Sequence, residues 1–142
     1  MRARDILAIK GTEVVTMPPD ASLGDAIATL AEKGIGAVVV AGADGAPVGI
    51  LSERDVVRIL AGAPTGYREE KLSAVMTRDL VTIGPDTGID AIKDLMTDRR
   101  IRHLPVVTDG ALVGILSIGD VVKHRIRAAR EEADALKGYI QG

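Results

Sequence analysis

The sequence predicts an α+β fold: two copies of one β-α-β-β-α unit, related by pseudo-symmetry and packed as one globule, followed by a carboxyl-terminal helix. Three observations predict it. Val48-Gly49-Ile50-Leu51-Ser52 recurs letter for letter as Val113-Gly114-Ile115-Leu116-Ser117. In each copy an Asp-Val-Val follows at the same distance, as Asp55-Val56-Val57 and Asp120-Val121-Val122. Upstream, Val15-Thr16 and Pro19-Asp20 match Val81-Thr82 and Pro85-Asp86 at one offset, which shortens by a residue between the two middle strands. Agreement in both order and spacing marks a duplication.

The elements follow in order. Ala3 to Lys10 is a lead-in helix. Val14 to Met17 is a short β-prone run closed by a Pro-Asp turn, in which Asp20, like Asp86 later, acts as a turn former. A helix follows, with Leu23, Ala26, Ile27, Leu30 and Ala31 on one face. Ala37 to Ala41 and Pro47 to Leu51 flank Asp44-Gly45, a hairpin signal. A second helix starts at Ser52. After a flexible connector (61–66), a short helix from Tyr67 to Met76 repeats the lead-in. The second unit runs through Leu80 to Ile83, then a helix with Ile89, Ile92, Leu95 and Met96 inward. His103 to Val107 and Ala111 to Leu116 follow around Asp109-Gly110, and a helix begins at Ser117.

A unit of about 45 residues is marginal alone. The halves, 1–66 and 67–124, should therefore pack on each other. In the tail (125–142 beyond the repeat), Val122, Ile126, Ala129, Ala133, Leu136 and Ile140 alternate spacings of four and three. That is a short a/d seam, open to its own body or to a partner helix.

The 142 residues are 46% hydrophobic and 27% charged, enough for one core and a soluble surface. A net charge of −2, two tyrosines and no Phe or Trp argue against a nucleic-acid binder. No stretch approaches the roughly 20 apolar residues of a membrane span. The cysteine count is zero, which excludes disulfides, thiolate metal sites and a cysteine nucleophile; a cytoplasmic address is expected.

The chemistry gathers at Ser52-Glu53-Arg54-Asp55 and Ser117-Ile118-Gly119-Asp120, each after a strand and opening a helix. One reading is a cap, worth about 1 kcal/mol. The other is a nucleotide site: a helix start suits phosphate, and a carboxylate accepts from the two hydroxyls of a ribose. Both can hold together. The copies then diverge. Arg99-Arg100-Ile101-Arg102-His103-Leu104-Pro105 stands where the first unit has Lys33-Gly34-Ile35-Gly36-Ala37-Val38-Val39. Such a run either suits a helix carboxyl end or neutralises phosphate. Gly34-Ile35-Gly36 follows a helix and precedes a strand, the reverse of a dinucleotide fingerprint. His103 and His124 lack metal-ligand spacing and a triad, so neither a metal site nor an enzyme is expected.

The two Val-Gly-Ile-Leu-Ser-x-x-Asp-Val-Val endings, Arg102-His103-Leu104-Pro105-Val106 and the Met-Thr-x-Asp opening at Met76 together resemble the tandem cystathionine β-synthase (CBS) domain pair, or Bateman module. The resemblance spans Thr12 to Val57, Asp79 to Val122 and the Val75-Met76-Thr77 lead-in. A chain of one such pair with a helical tail is similar to the stand-alone bacterial members. The resemblance implies two clefts between the halves for adenosine ligands: AMP foremost, with ADP, ATP, NAD or S-adenosylmethionine as relatives.

By the same resemblance, the first cleft joins Ser52, Arg54 and Asp55 to Thr77, Arg102, His103 and Pro105. The second joins Ser117 and Asp120 to Thr12, Gly36 and Ala37, without the Arg-His pair and the proline. The implied role is a non-catalytic regulatory sensor acting as a homodimer on an unnamed protein target. The alternative is a dimerising scaffold of the same fold with empty clefts.

Overall fold

The computed structural model describes residues 1–62 and 65–141. Helix α1 (Ala3–Lys10) is followed by strand β1 (Thr16–Met17), helix α2 (Leu23–Lys33), the hairpin β2 (Ala37–Ala41) and β3 (Pro47–Ser52), and helix α3 (Glu53–Gly62). Local chemistry sets these limits. The Ser22 hydroxyl caps α2 by accepting the Asp25 N–H at 3.1 Å, and Gly34 ends the helix in the left-handed region at φ 62°. The sheet order is β1-β2-β3, with β1 parallel to β2 and β3 antiparallel to it. Helix α3 runs through Gly62; the middle of the expected connector, residues 63 and 64, lies outside the described residues.

The second half repeats the plan with α5 (Ile89–Arg99), β4 (His103–Thr108), β5 (Ala111–Ser117) and α6 (Ile118–Gln141). Asp109 and Gly110 sit at φ 51° and 79°, which suits the two-residue turn the Asp-Gly pair implies. Two expectations change. The opening strand Leu80 to Ile83 shrinks to one parallel bridge, Ile83 to Val106. A turn begins at once: the Gly84 amide donates to the Thr87 hydroxyl instead of a ladder. The helix expected over Tyr67 to Met76 divides into a 3₁₀ turn (Tyr67–Glu69) and α4 (Leu72–Val75).

The lead-in segments are exchanged between halves. Ala3, Ile6 and Leu7 of α1 are buried with Ile83, Ile92, Leu104 and Leu116 in the core of the second half. Leu72, from the segment before the second unit, is buried with Leu23, Leu30, Val38 and Leu51 in the first. The divisions 1–66 and 67–124 thus describe sequence, while each core is completed by the other half's lead-in. Burying a leucine or isoleucine contributes about 1.5–3 kcal/mol, so the exchange ties the halves strongly.

The exchange also accounts for the repeated Val-Gly-Ile-Leu-Ser. A Cβ on Gly114 would stand 2.7 Å from Leu7 Cδ2, and one on Gly49 would overlap the Met76 side chain. Each glycine is the floor on which the other half's lead-in rests. A side chain there would lift it.

The serine-led helix of the second unit and the tail are one continuous helix, α6. Val122, Ile126, Leu136 and Ile140 are all at least 49% exposed. Among the described residues, the body meets a different face of this helix: Met1 and Asp5 lie beside Ala128, Glu131 and Ala135. The a/d seam is turned outward.

Candidate functional site

Strand β3 hands over to α3 at Ser52. The Ser52 amide and hydroxyl both donate to Asp55 Oδ2, at 2.9 and 3.1 Å, and the Ser52 hydroxyl oxygen accepts from the Asp55 amide at 3.3 Å. This is a reciprocal cap, and Ser117 and Asp120 repeat it with bonds of 2.8, 3.0 and 3.2 Å. The capping reading is therefore correct in both copies. It leaves Asp55 Oδ1 for other partners: Arg58 Nη2 at 2.8 Å and the Thr77 hydroxyl at 3.3 Å. Asp55 is only 6% exposed, an acid held inside by four donors.

Thr77 arrives by backbone pairing. Its amide donates to the Ile50 carbonyl at 2.9 Å, and the Ile50 amide donates back at 3.0 Å. Across the gap, α5 ends at Arg100, whose φ of 54° is left-handed in the position that Gly34 fills in the first copy. An arginine in this conformation costs roughly 1 kcal/mol. The turn aims the following chain, Ile101 to His103, into the space between the halves.

A cavity of about 300 Å³ results. Ser52, Arg54, Asp55, Thr77, Arg102 and His103 line it, as the resemblance implies, but Pro105 does not. Pro105 is buried in β4, where its carbonyl accepts the Ile83 amide. Arg58 and Arg100 complete the wall, so four arginines face Glu53 and Asp55 there. Sequence reasoning missed Arg58, one turn beyond Asp55 in α3; that spacing was the available signal.

A second cavity of about 420 Å³ lies on the other side of His103. Ser117, Gly36 and Ala37 line it, as do Arg102, His103 and Glu53, which face both cavities. Asp120, engaged by its cap and by Lys10, is not among the lining residues. The expectation that this cleft lacks the Arg-His pair is corrected: the pair stands in the shared wall. Thr12 is exposed and outside the cavity. Helix α1 stays helical through Lys10, whereas α4 stops at Val75, so the first lead-in offers no extended residue to pair with Ile115. Lys10 substitutes. Its ammonium donates to the Ile115 carbonyl at 2.7 Å and to Asp120 Oδ2 at 2.5 Å.

The electrostatics follow. Burial would raise the Asp120 carboxyl, but the Lys10 ammonium and the Ser117 donors outweigh it and hold Asp120 below the usual carboxylate value. His103 is pushed below its ordinary value, mainly by burial; Glu53 pulls it up, Lys10 down, Asp120 up and Arg102 down. A neutral imidazole and a guanidinium thus share one wall. The arrangement suits an anionic group in the first cavity, with hydroxyls reaching the buried acid beneath it.

Comparison with known proteins places this geometry. A family model described as the CBS domain matches residues 3–62 and 72–127. The CBS domain-containing protein CBSX3, mitochondrial, of Arabidopsis thaliana is 38% identical over 127 residues, covering 87% of this chain and 62% of that protein. The chain thus spans less than two thirds of this longer relative. The crystal structure of the CBS-domain containing protein ATU1752 from Agrobacterium tumefaciens is similar at a TM-score of 0.84 and 44% identity, covering 87% of this chain and 92% of that one. The CBS domain protein PAE2072 from Pyrobaculum aerophilum, solved in complex with AMP, is similar at a TM-score of 0.75 and 27% identity, covering 84% and 89%.

Proposed function

The chain belongs to the CBS domain family as a tandem pair, and on that footing we propose that it is a non-catalytic sensor that holds an adenosine nucleotide in the first cavity. One observation carries the reading: Asp55, a buried carboxylate fed by donors from both halves, lies at the foot of a cavity ringed by Arg54, Arg58, Arg100 and Arg102. A ribose diol would take the Arg58 and Thr77 places on Asp55, and the arginines would take the phosphate. The base would lie against Ile50 and Ile101. The AMP bound by the Pyrobaculum relative supports AMP as the first ligand to try.

Such a ligand bridges 1–66 and 67–124, so it stabilises their closed arrangement. Bound only by the folded protein, it adds RT ln(1 + [L]/Kd), about 2.7 kcal/mol at a hundredfold excess over Kd. The output then passes to a protein target, in a cytoplasmic setting that the cysteine-free composition favours. The test is a thermal-shift series with AMP, ADP, ATP, NAD and S-adenosylmethionine. AMP or a relative raises the melting temperature by several degrees, and Asp55→Ala loses most of that shift. A flat response to all five rejects the reading.

The outward seam of α6 favours a homodimer in either case, with 125–142 as its arm. If no adenosine compound binds and the dimer persists, the fold serves as a scaffold.

A further inference from the structure

The arginines of the first cavity do not all stop at its wall. Arg54, Arg100 and Arg102 also line an adjoining groove of about 320 Å³, and Ile101 stands between the two spaces. Both halves build the groove. The end of α5 supplies Thr97 and Arg100, the approach to β4 supplies Arg102, and the starts of α6 and α3 supply Ile118 and Arg54. The Ile118 amide donates to the Arg102 carbonyl at 2.8 Å and fixes that corner.

Charge separates the two spaces. In the first cavity Glu53 and Asp55 stand among the arginines, and Arg58 is paired with Asp55. The groove has no acid in its lining, and among the described residues Arg54, Arg100 and Arg102 make no salt bridge. A groove lined by one sign of charge concentrates ligands of the opposite sign. Arg100 moreover holds a left-handed φ of 54° where the first copy has Gly34, and backbone strain of this kind clusters at ligand-binding positions. With a ribose on Asp55, a single phosphate ends in the first cavity. Further phosphates would pass the shared arginines into the groove, where guanidinium forks match their oxygens in pairs.

We propose that the groove is a subsite for the outer phosphates of a nucleoside di- or triphosphate, so that the chain binds ADP and ATP more tightly than AMP. The proposal rests on the nucleotide reading above and names the ligand class of that site.

Titration calorimetry of the full chain with AMP, ADP and ATP, in buffer free of divalent metal, tests it. ATP is expected to bind about tenfold more tightly than AMP, the scale of two exposed charge-assisted contacts, with ADP between them. Thr97 is exposed on α5 and lines the groove but not the first cavity. Thr97→Glu places a carboxylate among the arginines and is expected to abolish the ATP preference, whereas the uncharged Thr97→Gln keeps it. Circular dichroism confirms folding, and Arg54→Gln reads the same loss if the glutamate variant does not fold. AMP binding as tightly as ATP in the wild type, or an ATP preference that survives in the folded variant, overturns the proposal and leaves the nucleotide reading standing. Absence of binding by all three nucleotides overturns both.

Discussion

The imidazole of His103 lies against the backbone of Gly36, its Cε1 and Nε2 each 3.0 Å from where a Cβ would stand. The contact joins the halves at the wall between the two cavities. At Gly36 the chain lacks a side chain so that a ring from the opposite half can fill the space. Gly36→Val should push His103 and, next to it, Glu53 out of place. Overpacking of this kind costs about 1–3 kcal/mol. The melting temperature is expected to fall by several degrees, and the AMP-induced shift to shrink. An unchanged melt would mean that the ring moves freely.

Arg100 offers the opposite trade. Its left-handed φ is one that Gly34 adopts without penalty in the first copy. Arg100→Gly therefore relieves roughly 1 kcal/mol of backbone cost, less what glycine's extra unfolded freedom takes back. The expected result is a melting temperature held or raised by a few degrees, with weaker binding of AMP and little change for adenosine. Equal losses for both ligands would remove Arg100 from phosphate recognition.

What the sequence made legible is what neighbouring residues decide. The duplication, the Asp-Gly turn and the Ser-x-x-Asp caps are set by spacings of a few residues, and they stand in the structure. What it hid depends on partners far along the chain. Lys10 meets Asp120, and Leu7 meets Gly114, because the lead-ins change halves; no local period records this. Thr12 stands outside the second cavity for a related reason. The resemblance carried it over by alignment with Thr77, but α1 runs on past the point where α4 stops, so register was lost across the loop. Arg102 and His103 read as residues of one cleft because a linear motif has no second side.

Protonation gives a third prediction. His103 takes its proton in the folded protein only below its ordinary value near 6.5, while the unfolded chain takes it there. Between those two values the unfolded state binds more protons, so stability rises with pH. The His103 contribution is therefore full above about pH 6.5 and declines as the pH falls toward the folded value. Asp120, also lowered, acts in the same direction further down: its contribution is present above the ordinary carboxyl value near 4 and is lost as pH falls through the folded one. The melting temperature should fall from pH 7.5 to 5.5, less steeply in His103→Gln. Burial, more than Lys10 and Arg102, depresses His103; a phosphate beside it favours the charged ring, so AMP binding is expected to draw in a proton. Calorimetry in two buffers of different ionisation enthalpy reads that uptake. The ligand's own phosphate group, with a value near 6, contributes alike in wild type and variant. Identical uptake in both proteins would place the phosphate away from His103.

The tail supplies the last prediction. Leu136 and Ile140 are 62% and 79% exposed in the chain by itself, so neither contributes to its core. Charged residues placed there should leave folding of the body almost untouched, since surface changes usually lie within about 0.5 kcal/mol. They would, however, put like charges against each other wherever two copies align their seams. Leu136→Asp with Ile140→Asp should therefore convert a dimer to a monomer in analytical ultracentrifugation. The thermal response to AMP should survive at protein concentrations where the wild type is also monomeric. The cavity proposed for the nucleotide is lined by residues of one chain, Asp55 on one half and Arg102 on the other. A variant that stays dimeric would move the interface off this seam, and loss of the AMP response in the monomer would mean that the two halves close only when a partner braces them.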